Sequence, residues 1–251
     1  MKIQYCSDLH LEFAHNNHYL TEKTWEVSGE VLLLAGDIAP LHDIYYANPF
    51  FSFLSANYKA VFWVPGNHEY YHHDLNDFKT SFHFKIHENI HLLQNTNIVY
   101  EGINFIFSTL WTYLNDSNMP FIEKGIADFA SITRKGKRLN GYDYNQLHEE
   151  SLSFLKAELD KTTHPTVVVT HHLPSVRCNS PEHVESELNE AYCVDLTAYI
   201  KDCKADFWIY GHSHFNQKPL IIGKTMVLTN QLGMVSSNEH NHFRNAAYFS
   251  L

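Results

Sequence analysis

Five short apolar runs constrain the fold of this 251-residue chain, because each is followed within three residues by aspartate, asparagine or histidine. The runs are IQYCS, VLLLA, AVFWV, TVVVT and DFWIY. VLLLA and TVVVT are apolar almost throughout rather than at alternate positions, which is typical of strands buried on both faces. The pattern therefore predicts an α/β protein whose strands end in polar, chemically competent residues.

Short strands alternate with longer helical stretches along the rest of the chain. Predicted strands cover residues 2–6, 31–35, 60–64, 104–109, 166–170, 206–210, 220–222, 225–229 and 246–250. Predicted helices cover residues 43–58, 75–87, 144–159 and 194–203. Residues 115–140 are interpreted as an irregular loop over the site, and residues 175–189 as a second loop. Closely spaced strands in the C-terminal third predict a second sheet, and the whole pattern predicts one domain over residues 1–251.

Composition and charge narrow the classes of function. The formal net charge is −10, with 28 acidic and 18 basic residues, which argues against general nucleic-acid binding. A phosphate substrate remains compatible, because bound metal ions would dominate the local field. Four cysteines without a C-x-x-C pair indicate free thiols in a reducing compartment. Neither a signal peptide nor a membrane span is expected, and we expect a cytoplasmic protein.

Sites in α/β folds gather beyond the carboxyl ends of strands, so the residues that follow the five runs are candidate ligands. These residues are Asp8, His10, Asp37, Asn67, His171, His212 and His214. Each has a simple alternative explanation, since an aspartate can cap a helix and an asparagine can form a turn. Their recurrence at five strand ends instead indicates a metal site.

The ligand types indicate which metals would bind. Carboxylate, imidazole and amide oxygen together suit divalent or trivalent first-row ions such as Mn, Fe, Zn, Co or Ni. No thiolate takes part, so a structural zinc site is not indicated. Seven ligands are too many for one small ion and suit a pair of ions.

The motif series D-x-H, G-D, G-N-H-E, H and G-H-x-H resembles the calcineurin-like metallophosphoesterase superfamily, in the same order from Asp8 to His214. The segments VVVTHHLPS and FWIYGHSH also resemble a group of small bacterial members. The resemblance implies a four-layer αββα sandwich, in which helices flank two mixed β-sheets. It also implies hydrolysis of phosphodiester or phosphomonoester bonds in a small substrate by a metal-bound hydroxide.

The same resemblance implies a role for each candidate. A first ion would be held by Asp8, His10 and His214, a second by Asn67, His171 and His212, and Asp37 would bridge the two. His68 resembles the family's catalytic histidine, which donates a proton to the leaving group or stabilises charge.

His171 and His172 are adjacent, and neighbouring side chains on a strand point to opposite faces. The family pattern places the ligand directly after Thr170, which favours His171. His172 would then line the rim of the site or contact the substrate.

Two other classes of function compete with the enzyme. One is a non-catalytic interaction scaffold that retains the fold, and the other is a plain metal-binding or redox protein. His68 favours the enzyme, because the metals do not require it as a ligand. Small phosphodiesters such as cyclic nucleotides, phosphomonoesters and nucleotide pyrophosphates all remain open as the small phosphorylated substrate, and the sequence predicts no oligomeric state.

Overall fold

The computed structural model describes residues 1–22, 25–42 and 46–251. Its strands are β1 (Lys2–Cys6), β2 (Val31–Ala35), β3 (Ala60–Val64), β4 (Phe82–His87), β5 (Ile90–Gln94), β6 (Thr96–Tyr100), β7 (Ile103–Ser108), β8 (Thr133–Arg134), β9 (Lys137–Arg138), β10 (Thr166–Thr170), β11 (Phe207–Tyr210), β12 (Leu220–Ile222), β13 (Thr225–Thr229) and β14 (Tyr248–Ser250). Its helices are α1 (Ala14–Glu22), α2 (Pro49–Asn57), α3 (Met119–Gly125), α4 (Asp128–Ser131), α5 (Gly141–Lys161) and α6 (Thr197–Asp202).

Within the described residues the strands form two six-stranded mixed sheets and a small β8–β9 hairpin. The first sheet has the order β14-β1-β2-β3-β5-β4, and the second has the order β12-β13-β11-β10-β7-β6. In each sheet the inner strands run parallel and the two edge strands pair antiparallel. This is the α/β sandwich of two sheets flanked by helices that the sequence predicts.

The core lies in layers because the central strands are buried on both faces. In β2, Val31 and Leu33 pack into the layer between the two sheets, whereas Leu32 and Leu34 pack on the outer face. In β10, Val167 and Val169 likewise face the layer between the sheets, and Val168 faces the outer layer that contains α5 residues. Uniformly apolar runs therefore mark strands covered on both sides.

The parallel strands bring their carboxyl ends to one edge of each sheet. β1, β2 and β3 are neighbours in the first sheet, and β10 and β11 are neighbours in the second. A bridge between Ser7 and Gln231 joins the two sheets beside this edge. The five candidate strand ends therefore converge on one place.

All nine predicted strands are present, with ends displaced by at most two residues. The predicted helix over residues 75–87 is wrong. A 3₁₀ turn, Leu75–Asp77, precedes edge strand β4, which pairs antiparallel with β5. In β4, apolar residues alternate with polar ones in the order FHFKIH, which is a period of two rather than of a helix.

The other departures lie at element ends and in segments interpreted as loops. The predicted start of the helix over residues 43–58 lies outside the described residues, and α2 occupies its later part. Residues 115–140 contain α3, α4 and the β8–β9 hairpin rather than an irregular loop. Strands β5 and β6 and helix α1 have no counterpart in the prediction.

Candidate metal centre

The structure brings the seven candidate ligands together at the shared edge of the two sheets. Asp8, His10, Asp37, Asn67 and His171 are buried there, and His212 and His214 are partly exposed. Asp8 links the sheets directly, because its carboxylate accepts hydrogen bonds from the backbone N–H of His212 at 3.0 and 3.1 Å.

Unusual backbone conformation marks these residues. Five of the seven have positive φ, namely Asp8 (56°), His10 (47°), Asp37 (55°), His212 (76°) and His214 (52°). Only a few per cent of non-glycine residues adopt this conformation, and Asp and His do so more readily than most. Such residues cluster at functional sites, where the surrounding structure holds them in place.

Asp8, His10 and His214 form the first group that could hold a metal ion, with ligand atoms all within 4.8 Å of one another. The Nε2 atoms of His10 and His214 lie 3.0 Å apart, and Nε2 of His214 lies 3.5 Å from Oδ1 of Asp8. The three side chains therefore direct ligand atoms to one point.

The outer nitrogens of this group have carboxylate partners. Nδ1 of His10 lies 3.0 Å from Glu12, and Nδ1 of His214 lies 2.6 Å from Glu239. When Nδ1 donates to a carboxylate, Nε2 of a neutral imidazole keeps its lone pair. Two such lone pairs 3.0 Å apart repel unless a proton or a metal ion lies between them, and a metal ion that also takes Asp8 fits this arrangement.

Local charge also favours a cation in the first group. Burial alone would lower the pKa of His214, but hydrogen bonds to Asp8 and Glu239 outweigh it and raise the pKa to about 10. The carboxylates therefore stabilise positive charge at this point.

Asp37, His171 and His212 form the second group, again with ligand atoms within 4.8 Å of one another. Nε2 of His171 lies 3.1 Å from Nδ1 of His212 and 3.1 Å from Oδ1 of Asn67. Nδ1 of His171 lies 2.9 Å from the carbonyl oxygen of Ala35, so Nε2 again faces other acceptors. This set of imidazole, carboxylate and amide donors also suits a first-row metal ion.

Asp37 lies between the two groups. Its Oδ2 is 3.7 Å from Nε2 of His10 and 3.3 Å from Nε2 of His171, whereas Oδ1 accepts a hydrogen bond from the N–H of His68. Burial would raise the pKa of this carboxyl, but the nearby imidazoles, led by His171, hold it well below its usual range. Asp37 is therefore a carboxylate that faces both groups.

Two glycines make room for this geometry. A Cβ on Gly36, which has a φ of +87°, would lie 2.3 Å from Nδ1 of His171. A Cβ on Gly66 would lie 2.2 Å from Oδ1 of Asp37. The turns after β2 and β3 therefore require residues without side chains.

His68 lies outside the two ligand sets, although with His10 and Glu12 it forms a further group whose ligand atoms lie within 4.8 Å of one another. Its Nδ1 is 3.1 Å from the same Glu12 oxygen that partners His10, and its ring stacks on Tyr71 with centroids 4.1 Å apart. Burial lowers the pKa of His68, but Asp37 and Glu12 outweigh burial and raise it to about 9. Glu12 thus fixes the ring of His68 with Nδ1 turned toward the carboxylate.

Glu69 orients the backbone rather than a side chain in the cleft. Its buried carboxylate accepts hydrogen bonds from the N–H groups of Asp37, Ile38 and Gly66, and from Nε1 of Trp63, at 2.7–3.0 Å. These bonds join the turns after β2 and β3, which carry Asp37 and Asn67.

The structure separates the two adjacent histidines. His171 joins the second group, whereas the rim position expected for His172 is wrong, because that side chain is fully buried. Its Nδ1 and Nε2 lie 3.2 Å from the carbonyl of Thr109 and from the hydroxyl of Tyr144. Burial and the charge of His171 lower the pKa of His172 to about 3, and its ring packs behind His212 at 4.2 Å.

Three acidic residues of the site are missing from the sequence-based set. Glu12 follows His10 by two residues in DLHLE, so its proximity was available as a local signal. Asp128, in α4, and Glu239, near the C-terminus, belong to no motif and reach the site only through folding.

A cavity of about 390 Å³ opens in front of both groups. Residues 125–128 form part of its wall, and Tyr71, His183 and Tyr192 also line it. The rings of His183 and Tyr192 stack with centroids 5.1 Å apart, and Tyr192 packs against His212 at 5.0 Å. The site is therefore a small cleft with an aromatic wall, within the size range of pockets for small molecules.

Comparison with known proteins decides the family. A family model described as calcineurin-like phosphoesterase matches residues 1–216. This chain belongs to the calcineurin-like phosphoesterase family. The family and the two ligand groups together support a metallophosphoesterase.

One relative matches this chain in sequence, and two solved structures share its fold. The uncharacterized protein L509 of Acanthamoeba polyphaga mimivirus is 30% identical over an alignment of 274 positions, which covers 99% of this chain and 96% of that protein. The crystal structure of the phosphopantetheinyl hydrolase PptH from Mycobacterium tuberculosis superposes with a TM-score of 0.67 at 15% identity, covering 92% and 89% of the two chains. The protein TT1561 of Thermus thermophilus gives a TM-score of 0.50 at 15% identity, with 92% and 88% covered. The two structures show a shared fold.

Among the residues that the structure describes, this phosphoesterase has no helix long and apolar enough to cross a membrane.

Proposed function

We propose that this chain is a dinuclear metal-dependent phosphoesterase that hydrolyses phosphodiester or phosphomonoester bonds of a small substrate. The observation that carries the proposal is the pair of ligand groups on either side of Asp37, with its Oδ2 3.7 Å from His10 and 3.3 Å from His171. Two ions held in this way would lie close enough to act on one phosphoryl group.

Each residue then has a defined task. Asp8, His10 and His214 would hold one ion, and Asn67, His171 and His212 would hold the other, with Asp37 facing both groups. Bound ions would supply Lewis-acid chemistry, polarising a phosphoryl oxygen and lowering the pKa of a water molecule toward neutrality. Mn, Fe, Zn, Co and Ni all suit the donor set.

His68 supplies the group that the ions do not. Its Nδ1 faces Glu12 at 3.1 Å, which leaves Nε2 as the other ring nitrogen available for a substrate. From this position His68 donates a proton to the leaving oxygen or stabilises the charge that develops there. Glu12 is the positioning residue for this ring.

The cleft suits a small phosphate ester with an organic substituent. Tyr71, Ile126 and Tyr192 provide apolar and aromatic surface next to the ligand groups. The solved structure with the TM-score of 0.67 is described as a phosphopantetheinyl hydrolase, so an ester of that type belongs among the substrates to be tested.

A substrate panel on metal-reconstituted protein tests the proposal. Chelator-treated protein is loaded separately with Mn, Fe, Zn, Co or Ni, and bound metal is counted by mass spectrometry. Turnover is measured with bis-p-nitrophenyl phosphate, p-nitrophenyl phosphate, cyclic nucleotides, dinucleoside polyphosphates and a phosphopantetheinyl ester. We expect two ions per chain and turnover of at least one ester. Absence of turnover with every metal would refute the proposed enzymatic activity, and one bound ion per chain would contradict the dinuclear site.

Asp37→Asn tests the shared ligand. The substitution removes the charge that faces both groups, so we expect loss of one ion per chain and at least about a 100-fold fall in turnover. Asp116→Asn is the matched control, because Asp116 is exposed in the structure. Retention of both ions and full activity in Asp37→Asn would contradict the bridging role.

A further inference from the structure

Asp128 is a buried carboxylate that belongs to none of the motif blocks. It begins α4, in the segment between β7 and α5, and only 1% of its surface is exposed. Its Oδ1 accepts hydrogen bonds from Nδ2 of Asn67 and from the hydroxyl of Tyr71, both at 2.8 Å. A buried carboxylate with two strong donors fixes both of those side chains.

The bond to Asn67 determines which end of its amide faces the second ligand group. With Nδ2 held by Asp128, Oδ1 lies 3.1 Å from Nε2 of His171. The two ends of an amide differ in chemistry, since the oxygen can bind a metal ion and the NH₂ group cannot. A 180° rotation of the amide would replace a ligand with a repulsive group.

The bond to Tyr71 reaches the candidate catalytic histidine. The ring of Tyr71 stacks on His68, with centroids 4.1 Å apart and planes at 28°. Because Asp128 holds the hydroxyl end of Tyr71, the stacked ring has a fixed position against His68. Asp128 therefore contacts Asn67, a candidate ligand, and Tyr71, the ring neighbour of the candidate general acid His68.

A third, longer contact continues toward the back of the site. The hydroxyl of Tyr144 lies 3.4 Å from Oδ2 of Asp128 and 3.2 Å from Nε2 of His172. His172 in turn packs against His212 with centroids 4.2 Å apart. Among the described residues, the network thus reaches the second group through both Asn67 and His212, whereas it reaches the first group through His68, whose ring centroid lies 4.5 Å from that of His10.

We propose that Asp128 is a positioning residue, which presents the amide oxygen of Asn67 to the second ion and fixes Tyr71 against His68. The inference rests on the proposed dinuclear function. It predicts that Asp128 mainly controls the second ion, because its direct bond to a candidate ligand goes to Asn67, whereas it reaches the first group indirectly, through Tyr71 and His68. It also makes the segment between β7 and α5 a part of the reaction site rather than a cover over it.

The central experiment is metal titration of chelator-treated Asp128→Asn by calorimetry. An asparagine has the same shape but offers one acceptor oxygen and brings its own NH₂ group, so it cannot satisfy Asn67 and Tyr71 equally. We expect the metal affinity of one of the two binding steps to fall about 10- to 100-fold, while the affinity of the other is unchanged. The kcat at saturating metal should fall by a larger factor than KM changes. Asp116→Asn, at an exposed position, should leave both steps unchanged.

Tyr71→Phe provides a second, independent variant. It keeps the ring that stacks on His68 and removes the hydroxyl that donates to Asp128, so we expect a kcat loss smaller than that of Asp128→Asn, with both ions retained. In the double variant the loss of kcat should be smaller than the product of the two single losses, because both substitutions remove the same hydrogen bond. Independent, fully multiplicative losses would overturn the link through Tyr71.

Other outcomes separate this inference from a purely structural role. Equal weakening of both metal-binding steps, or two unchanged steps, would overturn it even if Asp128→Asn has a lower Tm. If Asp128→Asn does not fold, full activity in Tyr71→Phe would overturn the link to His68. Failure of the wild-type protein to bind two ions or to turn over any ester would instead refute the proposed function itself.

Discussion

At the scale of single residues, the centre is defined by ring nitrogens that face one another. The two ring nitrogens of His10 and His214 meet at 3.0 Å, and those of His171 and His212 meet at 3.1 Å. In a protein interior such contacts are unfavourable unless a proton or a metal ion lies between the two nitrogens. The outer nitrogen of each imidazole in the first group is held by a carboxylate, which fixes the direction of the ring.

His68 offers the simplest residue-scale test of catalysis. Because it belongs to neither ligand group, His68→Ala should keep two ions per chain while turnover falls about 10²- to 10⁴-fold. Bound metal and kcat are measured on the same preparation. His164→Ala, at an exposed position, serves as the control. Loss of an ion from His68→Ala would show that His68 is a ligand instead.

Glu12 tests the positioning of that ring. One of its two carboxylate oxygens, Oε1, lies 3.0 Å from Nδ1 of His10 and 3.1 Å from Nδ1 of His68. Glu12→Gln removes the charge and should lower kcat about 10- to 100-fold, with a smaller change in KM. The exposed Glu88→Gln should behave as wild type. Wild-type kcat in Glu12→Gln would exclude this role.

At the scale of elements, the candidate ligands are positioned by the turns that follow the strands rather than by the strands themselves. β2 and β3 deliver Asp37 and Asn67 through turns that contain Gly36 and Gly66, and Glu69 joins those turns by accepting their N–H groups. The closeness of Gly36 to the ring of His171 couples the first sheet to a ligand from the second.

Gly36→Ala and Gly136→Ala form a matched pair that separates contact from backbone strain. Both glycines have positive φ, +87° and +72°, but only at Gly36 would a new Cβ meet another residue, at 2.3 Å from His171. We expect Gly136→Ala to cost about 1 kcal/mol of stability and to keep both ions. Gly36→Ala should also displace His171 and weaken metal binding. Equal metal affinity in the two variants would contradict the steric explanation.

At the scale of the whole molecule, the centre joins the two sheets. β1, β2 and β3 of the first sheet supply Asp8, His10, Asp37 and Asn67, and β10 and β11 of the second supply the remaining three histidines. A ligand that binds only the folded state stabilises it by mass action. Bound ions should therefore stabilise the packing of one sheet on the other.

Metal removal tests this stabilisation. Ions present at about 1,000 times their Kd would add about 4 kcal/mol. For a chain of this size that corresponds to a rise in Tm of about 10 °C. Thermal denaturation with and without chelator measures the difference, and His214→Ala should reduce it. An identical Tm in both conditions would show that the ions do not couple the sheets.

The predictable part of the fold follows from short-range patterns. Runs such as VLLLA are apolar because both faces are covered, and this property is visible within five residues. The alternation in FHFKIH was also visible, so the wrong helix over residues 75–87 reflects a misread period rather than missing information. Helices α3 and α4 are short and carry weak local signals, so the segment around them resembled a loop.

The sequence by itself determined the α/β architecture and the seven residues that meet at the sheet edge, because strand ends and their ligands are adjacent in the chain. Tertiary structure decided what surrounds them. Asp128 reaches Asn67 across 61 residues and Glu239 reaches His214 across 25, and no local pattern encodes such contacts. Tertiary structure also decided that His172 is buried against Tyr144, since the direction of a side chain beyond a strand depends on what packs against it.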